Sequence, residues 1–204
     1  MSLIDSLIQE GWLKNPKIIE AFQKIKRIDF LPEEIKNLAE LNEALAIGWG
    51  QTISQPLVVA FMVELLQPKI GDKILDIGSG SGWTTALLAE IVGEKGKVTA
   101  IEVIPELKEF GEKNVAKYNF IKKGVTKFIC ADGSKGYQKE APFDKILASA
   151  AAREIPQTWK DQLKIGGKIV SPVGSSIWLL IKKSENEFEK TEYPGFAFVP
   201  LIEK

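Results

Sequence analysis

Apolar positions recur with a helical period at the start of the chain and gather into short continuous runs after residue 69. Leu3, Ile4, Leu7 and Ile8 mark a short amphipathic helix that ends near Gly11. Asn15-Pro16 opens a second, an N-cap and a first-turn proline ahead of Ile18, Ile19, Phe22 and Ile25, and Pro32 stops the chain from continuing. Leu57 to Leu66 is an apolar helix entered through Pro56. From Lys69 onward the pattern predicts strand 73–77, helix 83–92, strand 97–102, helix 105–118, strand 125–130, strand 143–148, a short helix near 156–163 and strand 168–172. Fully apolar strands alternating with helices imply an α/β fold, a doubly wound and mostly parallel sheet covered on both faces. The tail differs. Ile177 to Ile181 and Phe196 to Leu201 read as short β runs on either side of the charged stretch Lys182 to Lys190, and predict an antiparallel C-terminal edge.

The chemistry concentrates where strand 73–77 runs into Gly78-Ser79-Gly80-Ser81-Gly82. Glycines let a backbone turn sharply and approach a ligand closely, and amides at the start of the following helix offer donors to its polar end. Glu102 ends the next strand twenty residues past Gly82, where a carboxylate can accept both hydroxyls of an adenosine ribose. A dinucleotide fingerprint would place glycine at 83, but Trp83 stands there. Asp76 also directs a negative charge toward the spot a pyrophosphate would need. S-adenosylmethionine fits better: its ammonium suits Asp76, its carboxylate the turn amides, and its ribose Glu102.

Composition narrows the chemistry further. Lys plus Arg equals Asp plus Glu at 27 each, so no net field draws the chain to nucleic acid or an anionic membrane. Cys130 is the one cysteine and cannot form an intrachain disulfide; it closes the apolar run from Val125 and reads as a packed core thiol. With no signal peptide and no run of membrane-spanning length, a cytoplasmic protein is expected. Histidine is absent, which removes imidazole-based triads and leaves no His/Cys metal site to propose. Methyl transfer from a sulfonium needs no such base. Its rate is expected to vary little from about pH 6 to 8, since no imidazole titrates there.

Two loops extend the site at the carboxyl ends of the strands, where open α/β sheets bind ligands. Asp132-Gly133 follows the third strand, where adenine would project, and Ser149-Ala150-Ala151-Ala152 follows the fourth with room over the methyl donor. The remaining segment, Ile47 to Pro56, reads as an approach loop. Ser54 or Gln55 can cap the helix that Pro56 opens; alternatively, Thr52 and Ser54 point hydroxyls at the donor.

Taken in order, Gly50-Gln-Thr-Ile-Ser-Gln-Pro56, Leu75-Asp-Ile-Gly-Ser-Gly-Ser-Gly82, Asp132-Gly133, Ala141-Pro142-Phe143-Asp144, Gln162-Leu163 with Gly166-Gly167, Pro172-Val173-Gly174 and Phe198-Val199-Pro200-Leu201 resemble the motifs of the protein-L-isoaspartate O-methyltransferases. The stretch Ile19 to Pro32, with Arg27 and Phe30, resembles that family's opening helix and turn. The resemblance implies a Rossmann-like methyltransferase fold in one domain over 1–204, with 1–55 supplying helices and an active-site loop and 56–204 the cofactor core and edge strands. It further implies Ser54 as the active-site residue and Thr52, Ile53, Asp76, Ser81, Glu102, Val103, Asp132 and Gly133 around the cofactor, beside Gly78, Ser79 and Gly80 of the turn. Where the family motif reads Val-Thr-Ala-Ala this chain has Ala148-Ser149-Ala150-Ala151, which keeps the hydroxyl, and the tail after Leu201 is short. The implied substrates are isoaspartyl proteins and peptides, met by a monomer without nucleic-acid or membrane partners. Other readings of the same residues are methylation of a small molecule, an RNA or one dedicated peptide, and a non-catalytic cofactor- or peptide-binding adaptor.

Overall fold

Short side chains set the first helix starts in the computed structural model, which describes residues 2–203. The Ser2 hydroxyl accepts from the Asp5 amide at 3.2 Å and the Asp5 carboxylate from the Ser2 amide at 3.2 Å, a capping box that opens α1 (Leu3–Gln9). Asn15 Oδ1 accepts from the Lys17 amide at 2.9 Å to open α2 (Pro16–Lys24). Beyond it the chain tightens into 3-10 turns at Arg27–Phe30 and Glu33–Leu38, on either side of Pro32. The expected approach loop contains instead a hairpin of β1 (Leu45–Gly48) and β2 (Gln51–Ile53). Gly48, Trp49 and Gly50 make its turn with φ of 95°, 53° and 69°, a left-handed run that two glycines make accessible. α3 (Pro56–Leu66) follows directly.

The remaining elements build the sheet: β3 (Lys73–Ile77), α4 (Trp83–Val92), β4 (Lys97–Glu102), α5 (Pro105–Ala116), β5 (Thr126–Cys130), β6 (Phe143–Ala148), α6 (Gln157–Asp161), β7 (Leu163–Val173), β8 (Ser176–Lys182) and β9 (Phe188–Pro194). Strand order is β5-β4-β3-β6-β7-β8-β9, parallel from β5 to β7 and antiparallel beyond. This is the expected doubly wound sheet with an antiparallel edge. Alternate strand residues feed opposite faces: Ile74, Leu147 and Val170 join the cluster formed with α2 to α5, while Leu75, Ile77, Ile146 and Ile169 join the one around Trp159 of α6. The chain leaves β3 toward β4 on one side and returns to β6 on the other. The crevice at that reversal opens beside the glycine turn.

Three expectations are corrected. β7 begins at Leu163 rather than 168, because Leu163 pairs with Phe143 across a register shift that Gly166-Gly167 conceals in the sequence. The last strand is Phe188–Pro194, not 196–201; it pairs with β8 while Phe188 and Tyr193 pack inward and its charged side chains stay exposed, and Val199 and Leu201 merely bracket Ala151 with bonds of 2.8 Å. Cys130 is exposed at the last position of an edge strand, with a neighbour on one side only.

Backbone contact holds the glycine turn onto α5. A Cβ on Gly111 would sit 2.5 Å from the Gly80 carbonyl oxygen, and one on Gly82 2.8 Å from the Gly111 oxygen. Gly111→Ala should therefore cost about 1–3 kcal/mol of stability through overpacking, read as a lowered urea midpoint with an unchanged m-value.

Candidate active site

The turn after β3 is held by its own strand neighbours. The Ile101 carbonyl accepts from the Gly78 amide at 2.9 Å and the Ser79 amide at 3.1 Å, and the Ser79 carbonyl accepts from Gly82 at 2.9 Å. Glu102, only 5% exposed, takes the Gly80 amide on Oε2 at 3.0 Å and the amides of Val103 and Ile104 on Oε1 at 2.8 and 3.1 Å. The amides of Gly78, Ser79, Gly80 and Gly82 are thus already engaged within the protein. They do not form the anion cradle that the glycine spacing suggested.

An open cleft lies beside the turn. Of the residues expected around a cofactor, Thr52, Ile53, Gly78, Ser79, Gly80, Ser81, Glu102, Val103 and Gly133 line it, together with Ser54. The structure does not bring Asp76 or Asp132 to this wall. Asp76 lies fully buried behind the turn, its Oδ2 accepting from the Thr85 hydroxyl at 2.6 Å while Oδ1 has no partner among the described residues. Asp132 caps the next turn, with Oδ1 accepting from the Ser134 amide at 2.9 Å and hydroxyl at 2.7 Å, and Lys135 at 3.2 Å from Oδ2. Its neighbour Gly133 reaches the cleft because Trp159 Nε1 holds the Gly133 carbonyl at 2.9 Å, and a Cβ there would meet Ile77 at 2.5 Å.

Sequence reasoning missed several wall residues. Trp83 served only to exclude a dinucleotide, yet it lines the cleft with Ile104 of the β4–α5 turn and Leu107 of α5. Val199, Pro200 and Leu201, of the expected β run, close the far side together with Ile202. Ser149 and Ala150 line the wall where small residues were expected.

A second cleft adjoins the first, and the two share Thr52, Ser54, Ser149 and Val199. Ser54 therefore stands between them. Its capping alternative fails, since neither Ser54 nor Gln55 gives α3 a side-chain cap; Asn42 Oδ1 accepts from the Leu57 amide at 3.0 Å instead. An adenosyl group fits the first cleft: a carboxylate for ribose, apolar side chains for a base, and a buried Ser79 hydroxyl with no partner of its own. Among the described residues no three His, Cys, Asp or Glu side chains are placed to hold a metal ion, and no helix is long and apolar enough to cross a membrane.

Comparison with known proteins agrees with this geometry. The family model described as "Protein-L-isoaspartate(D-aspartate) O-methyltransferase" matches residues 1–204. A protein-L-isoaspartate O-methyltransferase of Methanopyrus kandleri is 41% identical over 204 residues, covering 98% of this chain and 89% of that one. A second, from Archaeoglobus fulgidus, is 46% identical over 188 residues, with 91% and 84% covered. A Plasmodium falciparum structure of the same description, crystallised with S-adenosyl-L-homocysteine, superposes with a TM-score of 0.88 over 99% of this chain and 97% of its own at 23% identity, a likeness of fold.

Burial raises the Asp76 carboxyl from 3.8 to about 7, the Thr85 hydrogen bond opposing and the Glu102 charge assisting. Although histidine is absent, one buried group thus changes charge near neutrality. The folded state holds its proton where the unfolded chain has lost it. Stability should accordingly fall as pH rises from about 4 to about 7, and Asp76→Asn should flatten that slope in denaturant titrations across the range.

Proposed function

The chain belongs to the protein-L-isoaspartate(D-aspartate) O-methyltransferase family, and on that premise we propose how its two adjoining clefts divide one reaction. It transfers a methyl group from S-adenosylmethionine to the free α-carboxylate of an L-isoaspartyl residue in a protein or peptide, after which succinimide formation begins repair. The observation that carries the division is the shared wall at Ser54. One cleft takes the cofactor and the other the acceptor, so the hydroxyl at their junction is where the reacting carboxylate can be oriented.

On the cofactor side, Glu102 is the ribose acceptor. Its oxygens already take three amide bonds, and a carboxylate offers about four lone-pair sites, so its remaining capacity favours one ribose hydroxyl over both. Ser79 supplies the unpartnered hydroxyl, and the backbone at Gly78, Gly80 and Ser81 lets the ligand approach closely. Thr52, Ile53, Val103 and Gly133 complete the wall, while Asp76 acts through Thr85 of α4 and Asp132 through the turn it caps. S-adenosylmethionine supplies a methyl group already activated on a sulfonium.

The chain's own task is therefore orientation and exclusion of water. The acceptor carboxylate, with a reference pKa of about 3.9, is ionised at neutral pH and needs no base, which suits a sequence without histidine. Methyl transfer joins an anion to a cation, so the apolar walls of Trp83, Ile104 and Leu107 favour the less charged transition state over the separated ions. Near-attack positioning can contribute roughly 7–11 kcal/mol. Residues 1–204 work as one catalytic unit, the first 55 supplying the loop that brings Thr52 and Ser54 to both clefts. We further propose a cytoplasmic monomer that needs neither nucleic acid nor membrane, a reading supported by equal numbers of acidic and basic residues and by a single cysteine.

Incubation with radiolabelled cofactor and two peptides identical except for aspartate or isoaspartate tests the function. Only the isoaspartyl peptide should gain a base-labile methyl ester; equal labelling, or label on RNA alone, would overturn it. Ser54→Ala should lower kcat sharply with cofactor affinity nearly unchanged, and because Asn42 supplies the α3 cap, stability should hardly move. Glu102→Ala should weaken cofactor binding by about 1.5–3 kcal/mol in calorimetry, the worth of a charge-assisted hydrogen bond, and Asp132→Ala should weaken it less.

A further inference from the structure

Arg27 is 6% exposed, and the reaction as described does not use it. Its guanidinium donates from Nη1 to the carbonyl oxygens of Ala39 at 3.2 Å and Leu41 at 3.0 Å, and from Nη2 to those of Glu43 at 2.7 Å and Ser54 at 3.2 Å. Nε has no partner among the described residues. The same guanidinium lies 5.5 Å from the centre of the Trp83 ring. Trp83 opens α4 and walls the cofactor cleft, and Ser54 stands at the junction of the two clefts. One side chain thus touches both parts that must be aligned for transfer.

We propose that Arg27 is a positioning residue for methyl transfer, holding the Ser54 loop in register with the first turn of the cofactor helix. The inference rests on the assignment of Ser54 made above. Planar geometry, more than charge, is what the site uses, because all four hydrogen bonds end on main-chain oxygens that carry only partial charge. Burial lowers the guanidinium to about 10, with Glu40 opposing, and it stays protonated at neutral pH. Four carbonyls from two segments converge on a rigid fork, which a lysine ammonium, with three donors on one nitrogen, cannot reproduce. Two further bonds lace the same segments together: Gln55 Nε2 donates to the Asn42 carbonyl at 2.8 Å, and the Leu57 amide to Asn42 Oδ1 at 3.0 Å. Arg27 is the member of this lacing that also reaches Trp83.

Arg27→Lys separates the fork from the charge. A misplaced acceptor loop should lower kcat by roughly 10- to 100-fold, while cofactor affinity stays within about threefold, because the turn and Glu102 are untouched. In Arg27→Ala, added ethylguanidinium should restore part of kcat and ethylammonium should not; a cavity lined by Arg27, Trp83 and Ile25 gives it access. Near-normal kcat in Arg27→Lys beside an impaired Ser54→Ala overturns this inference alone, as does an equal fall in kcat and cofactor affinity. If Ser54→Ala keeps its kcat, the assignment of Ser54 fails and this inference with it. Hydrogen exchange on the parent protein reads the same link without any variant: residues 39–43 and 53–57 should open as one unit, and independent opening overturns the proposal.

Discussion

The site depends on a backbone turn that is fastened before any ligand arrives. Two amides of the glycine turn hang on the Ile101 carbonyl, a third on Glu102, and Gly111 of α5 packs against the oxygen of Gly80. Those bonds come from the adjacent parallel strand, so the register of β4 on β3, with Ile77 opposite Ile101, decides where the turn lies. A shift of register would break the fastening and move Glu102 together. Fold and site are joined at that strand pair.

The elements that carry this pair were legible because each announces itself locally. The strand and helix bounds at 73–77, 83–92, 97–102 and 143–148 match the observed ones, since each of these segments is marked at one end or both by glycine, proline or charge. The hairpin at 45–53 was not legible. Its turn is a non-glycine residue in a left-handed conformation flanked by two glycines, and the sequence shows only that glycines are present. The last strand escaped for the opposite reason: its residues are mostly polar or charged, and apart from Phe188 and Tyr193 it offers no apolar pattern to mark its pairing with β8. Segments held by distant backbone partners leave little trace in their own composition.

The site divided in the same way. Ser54, Glu102 and the turn residues were placed by motif and spacing, and they do meet around one cleft. Asp76 and Asp132 were marked by the same motifs but stand behind the wall, Asp76 bonded to the Thr85 hydroxyl of α4 and Asp132 to that of Ser134. A sequence pattern records that a carboxylate is needed near a ligand; it does not say whether the carboxylate faces the ligand or holds the residue that does. Trp83 and the tail from Val199 to Ile202 could be recognised only once helix and chain end were seen to converge. Arg27 lies outside the motifs that carry the cofactor chemistry, and its meaning emerges from four carbonyls brought together by folding.

The charged strand Phe188–Pro194 has a consequence for an enzyme that handles polypeptide. It borders the sheet on the side away from β5, with Glu189, Lys190, Thr191 and Glu192 exposed, and it stops at a proline. Extended chain adds readily to an unguarded strand border, gaining main-chain bonds whatever its sequence. Charges and a proline discourage such addition. At this border the enzyme's own class of substrate is thereby discouraged from pairing where no chemistry occurs.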